Sequence, residues 1–94
     1  MPEQKKIGIK ITDDVLAGVY ANAMRVTHTQ EEFLLDFMNV FPPQGIVTAR
    51  IVISPGHLRR IVNALNDNLS KYEQKIGKKI EPIDEPQPGI GFTP

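Results

Sequence analysis

A few places in the chain hold side chains that could do chemistry together. The first is Asp36 with Arg50. Asp36 stands between Leu35 and Phe37 in an apolar run, where a carboxylate is costly to bury unless a cation meets it. Perturbed carboxylates gather at catalytic centres. A bidentate arginine–carboxylate pair between neighbouring strands is the simpler use of these two residues. The second is His28 near Glu31 and Glu32, a set able to hold a metal or move a proton. Its spacing is that of a turn, and no second histidine is near. His57 falls in the first turn of an expected helix, where capping or solvation suffices. Asp13-Asp14 reads as a turn signal before it reads as a cation site. No nucleophile elbow, phosphate loop or paired-carboxylate motif is present. Gly89-Ile90-Gly91 lacks the strand and helix that bracket a nucleotide loop. The expectation is a protein with no catalytic residues, no metal and no cofactor.

Composition narrows the classes further. The chain has 94 residues, enough for one small domain. A domain of this size buries a limited share of its surface, and self-association is a common remedy. Eleven basic residues balance eleven acidic ones, so no overall field draws the protein to nucleic acid or anionic lipid. There are no cysteines, which excludes disulfides, thiolate metal sites and cysteine nucleophiles. No apolar run approaches the ~18 residues of a membrane span, and MPEQKKIGIKI lacks a secretory core. A cytoplasmic location with no membrane partner is expected.

The elements that must position Asp36 follow from periodicity. Residues 5–12 place Ile7, Ile9 and Ile11 on one side and Lys6, Gly8 and Lys10 on the other, the period of a half-buried strand. Asp13-Asp14 turns the chain. Residues 15–27 read as a second strand: the alanines allow a helix, but Gly18, Val19, Tyr20, Val26 and Thr27 favour extension. His28-Thr29-Gln30 is a turn, residues 31–40 a third strand, residues 41–45 a loop about Pro42-Pro43, and residues 46–53 a fourth strand. The period then changes. Ser54 is a good helix cap, Pro55 suits the first helical position, and Gly77 suits the end. Between them Leu58, Ile61, Val62, Leu65, Leu69, Tyr72 and Ile76 form one apolar stripe. From Lys78 onward the prolines forbid a helix.

The expected fold is therefore α+β: a four-stranded antiparallel meander with one long C-terminal helix packed on one face, then an extended proline-rich tail. The domain spans residues 1–77 and the tail 78–94. If the loop 41–45 sets Val40 opposite Ile46, Asp36 faces Arg50. If the turn 28–30 sets Thr27 opposite Glu31, Asn22 faces Asp36. That register gives a polar row, Asn22–Asp36–Arg50, with Tyr20–Met38–Thr48 and Met24–Leu34–Val52 as its neighbours. The other face gathers Ala21, Phe37, Ala49, Ala23, Leu35 and Ile51 for the helix. One helix covers only one face, so the polar-row face is expected to be a subunit interface built from Tyr20, Asn22, Met24, Leu34, Asp36, Met38, Arg50 and Val52.

The segments VYANAMRVTHTQEEFLLDF and ARIVISPGHLRRIVNALNDNLSKYEQKIG resemble a family of short prokaryotic proteins defined only as a domain of unknown function. The pattern falls on Tyr20, Asn22, His28, Glu32, Phe33, Asp36, Phe37, Ser54, Pro55, Leu69, Tyr72, Glu73 and Gly77, within residues 18–77. Thr29 stands where that pattern has serine. The resemblance implies no reaction, substrate or cofactor.

Taken together, the residues favour a non-enzymatic, homo-oligomeric protein-binding or adaptor module, a dimer before larger assemblies, with an unidentified protein partner. Two other classes fit less well. Arg59, Arg60, Lys71 and Lys75 along the helix, with Tyr20 as a stacking platform, suit single-stranded nucleic acid; Asp67 and Glu73 interrupt that charge. A holdase-like chaperone would expose an apolar groove. The tail, with Ile80, Ile83, Ile90 and Phe92, could dock along a groove or a sheet edge.

Overall fold

A computed structural model describes residues 6–83 of the chain. A short helix α1, Asp13–Leu16, precedes strands β1, Ala23–His28, β2, Phe33–Phe41, and β3, Gln44–Ile53; the long helix α2, Pro55–Ile76, closes the order. The strands form one antiparallel meander, β1-β2-β3. The class is α+β, but among the described residues the sheet has three strands where four were expected.

The difference lies before Ala23. Residues 6–12 join no ladder, although Ile7, Ile9 and Ile11 alternate as a strand would. Alternation is necessary for a half-buried strand and not sufficient, because a strand also needs an edge to pair with. Asp13-Asp14 is not a bare turn: the two acids open α1, where negative charge suits a helix N-terminus. Gly18 then takes a left-handed conformation, with φ of 76°. That bend breaks the expected strand of residues 15–27 and leaves only its second half paired.

The turn between β1 and β2 sets the register. Thr29 Oγ1 accepts from the N–H groups of Glu31 and Glu32, and Thr29 N–H donates to the Glu32 carbonyl at 2.9 Å. The turn thus runs over four residues and leaves His28 opposite Phe33. Glu31 and Glu32 belong to the turn and not to a strand. Thr27 consequently faces Leu34, and Arg25, not Asn22, faces Asp36.

Between β2 and β3 the chain turns tightly at Pro42-Pro43, whose bond is cis, as in turns with a proline at the third position. Val40 therefore lies opposite Gly45, one residue from the expected Ile46. A bulge between Phe37 and Met38 restores the count, so that Asp36 still meets Arg50. Thr48, the extra residue, donates its hydroxyl to the Phe37 carbonyl at 3.1 Å.

Helix α2 has the expected bounds. Ser54 Oγ accepts from His57 N–H, Pro55 opens the helix, and Gly77 ends it in a left-handed conformation with its N–H on the Glu73 carbonyl. Packing departs from expectation. Leu58 and Ile61 are half-buried, but no residue of α2 is fully buried. Among the described residues the buried set is small: Ala23, Leu35, Asp36, Met38, Val40 and Ile53. Beyond the helix, Ile80 N–H donates to Glu73 Oε2 at 2.8 Å. The remainder of the expected tail, with Ile90 and Phe92, lies outside the described residues.

Candidate interaction site

Two features of the sheet stand out, one on each face. On the first face Asp36, only 1% exposed, sits between two arginines. Arg50 Nε donates to Oδ1 at 2.7 Å and Arg50 Nη2 to Oδ2 at 3.1 Å, while Arg25 Nη2 donates to Oδ2 at 3.2 Å. The middle strand thus carries the acid, and its two neighbours carry the bases. The Arg50 hydrogen bonds hold the Asp36 carboxyl below its ordinary range against the opposing effect of burial, with Arg25 adding to the shift; Asp36 in turn raises Arg50. Three charge-assisted bonds explain how a carboxylate survives there.

Asn22 does something other than join this row. Its Nδ2 donates to the Val40 carbonyl at 3.0 Å, and its Oδ1 accepts from Val40 N–H at 2.8 Å. The amide imitates a backbone partner and extends the ladder past Ala23. One step beyond the Ala23–Met38 pair, Asn22 N–H also donates to the Met38 carbonyl at 2.9 Å. Asn39 Oδ1, nearby on β2, is buried without a hydrogen-bond partner among the described residues.

On the opposite face α2 leaves the end of β3 and leans over β1 and β2. Between them opens an apolar cleft of about 770 Å³. Met24, Val26, Leu35 and Phe37 form its floor, and Leu58, Ile61, Val62 and Leu65 its helical wall. Past Leu65 no residue of the helix lines the cleft. Leu65 is 64% exposed, and Leu69, Tyr72 and Ile76 are also exposed.

The eight residues expected at one interface are divided by this geometry. Leu34, Asp36, Met38, Arg50 and Val52 share the arginine face by alternation along β2 and β3. Met24 lies on the other face, in the cleft. Tyr20 precedes β1 in no strand, and Asn22 bonds to backbone. Met38 is buried within the chain and Leu34 is half-buried. Arg25 is the residue that sequence reasoning missed. Its signal was present: like Asp36 and Arg50, it is a lone charge in an apolar strand.

The other candidates stay apart. His28 stacks against Phe33, ring centroids 5.1 Å apart. His57 Nδ1 accepts from Arg60 Nη2 at 3.1 Å. Arg59, Arg60, Lys71 and Lys75 are exposed along α2. Among the described residues no three His, Asp or Glu side chains gather where a metal ion would bind, and no helix is long and apolar enough to cross a membrane.

A family model described as Protein of unknown function (DUF3467) matches residues 1–81 of the chain. The chain belongs to that family. No curated protein and no solved structure matches it.

Proposed function

We propose that this member of the family is a non-enzymatic module that self-associates through α2 and holds a protein segment in its cleft. One observation carries the proposal. Leu58, Val62, Leu65, Leu69, Tyr72 and Ile76 are spaced alternately by four and three residues, the seam along which two helices pack. The helix continues for eleven residues past Leu65, the last of its residues to line the cleft. The last four seam residues are exposed. A contiguous apolar strip of this kind marks a contact surface on a protein.

The distal seam supports pairing of two copies of α2, and two-fold pairing makes the contact self-complementary. The cleft supports a second role. It is apolar and bounded by β1, β2 and a capped helix, the usual build of a groove for an extended or helical segment. Asp36 and its arginines serve as the scaffold that holds the three strands in register beneath it.

Sedimentation equilibrium of the full chain tests this. The wild-type chain is expected to be a dimer at micromolar concentration, and Leu69→Glu with Ile76→Glu to be a folded monomer, because both positions are exposed in the single chain. A wild-type chain that sediments as a monomer at high micromolar concentration would overturn the proposal.

A further inference from the structure

We infer that the cleft of one copy receives the N-terminal arm, residues 6–12, of a second copy, resting on the self-association proposed above. The arm and the cleft are complementary and both unused. Ile7, Ile9 and Ile11 alternate along the segment, and Ile9 is 91% exposed. Lys6, Gly8 and Lys10 take the alternate positions. This is the pattern of a strand with one buried and one solvated face. Among the described residues it pairs with no strand.

The cleft offers the matching half. Its floor ends at β1, whose outer edge has no neighbouring strand among the described residues. A strand laid along β1 gains ladder hydrogen bonds from that edge, the general mode by which extended segments add to a sheet. With its isoleucines turned toward Met24, Val26 and the helical wall, the arm fills the apolar space. Its lysines then emerge on the opposite side, toward water.

A second copy is the occupant that the chain itself provides. No residue of the arm lines the cleft of its own chain, and Ile7, Ile9 and Ile11 are all exposed. Each copy brings one arm and one cleft, so a two-fold pair satisfies both at once by reciprocal exchange. Contact through α2 would hold the two copies together and raise the effective concentration of arm at cleft.

Because the chain has no cysteine, unique pairs can be introduced cleanly. Chains carrying Ile9→Cys are mixed with chains carrying Val62→Cys and treated with a short bis-maleimide. Heterodimers joined through these positions are expected. In parallel Ile7→Asp with Ile9→Asp, checked for an intact fold by circular dichroism, is expected to weaken the dimer by about ten-thousandfold, since each of the two exchanged arms loses two buried isoleucines. If Leu69→Cys chains join to each other while the Ile9–Val62 pair does not form, self-association stands and the arm exchange is overturned. If a single chain carrying both Ile9→Cys and Val62→Cys closes on itself as a monomer, the arm belongs to its own cleft and the exchange is overturned. If no pair forms and the chain is a monomer, both proposals fall.

Discussion

Asn22 clamps Val40 by two hydrogen bonds at once, its amide nitrogen on the carbonyl at 3.0 Å and its amide oxygen on the N–H at 2.8 Å. Val40 is buried, so water cannot replace either bond. The side chain holds the strand end where backbone pairing stops. Asn22→Ala is expected to destabilise the fold by about 1–3 kcal/mol, the cost of leaving buried polar groups without partners. Asn22→Asp keeps an acceptor for the N–H but sets a carboxylate oxygen against the Val40 carbonyl, and is expected to recover little of that loss. Urea unfolding at constant m-value measures both.

Asp36 makes stability depend on acid in a defined direction. Its carboxyl lies below the ordinary value of 3.8 in the folded chain, chiefly through the Arg50 hydrogen bonds. A group whose folded value is depressed stabilises the fold above its unfolded value and loses that contribution as pH falls through the folded one. The melting temperature should therefore hold level near neutrality and decline once pH drops toward 3.8 and below. In Asp36→Asn this part of the decline should vanish. The variant should melt a few degrees lower at neutral pH, since two partly exposed arginines lose their anion. The two melting curves should converge at strongly acid pH. A constant gap across the titration would refute the assignment.

The two arginines should not be equivalent. Arg50 gives two bonds to the carboxylate, the shorter at 2.7 Å, and Arg25 gives one at 3.2 Å. Arg50→Gln should raise the Asp36 carboxyl further than Arg25→Gln does. Carbon-detected NMR titration of the side-chain carboxyl reads this directly, and equal shifts would count against the geometry.

How much of this was legible in the sequence depended on whether the cause was local. The bounds of α2 were, because the Ser54 cap, Pro55 and Gly77 act within one turn of the helix. The Asp36–Arg50 pair was also legible, though through two offsets that cancel: the turn at Pro42-Pro43 is one residue tighter than expected, and the bulge at Thr48 adds that residue back. The partner of Asp36 on β1 was hidden because the turn at Thr29 closes through a side-chain oxygen, and nothing in the spacing of apolar residues fixes its length. Residues 6–12 carry strand periodicity without a strand because pairing depends on an edge elsewhere. The coverage of the helix stripe depended on where α2 leans, a tertiary matter that periodicity does not record.

The end of α2 gives a test free of side-chain packing. Gly77 has φ of 79° and nothing within 4 Å of where a Cβ would stand. Any cost of Gly77→Ala therefore comes from the backbone alone, and is expected to be about 1 kcal/mol. Asparagine tolerates the left-handed region better, so Gly77→Asn should cost less than Gly77→Ala. The cap also fixes the chain that follows, since Ile80 N–H is bound to Glu73 on the last turns of the helix. Glu73→Gln keeps an acceptor for that bond, whereas Glu73→Ala removes it. Amide hydrogen exchange at Ile80 should accelerate in Glu73→Ala and in Gly77→Ala and stay near wild type in Glu73→Gln; unchanged exchange in Glu73→Ala would show that the side chain does not hold the segment.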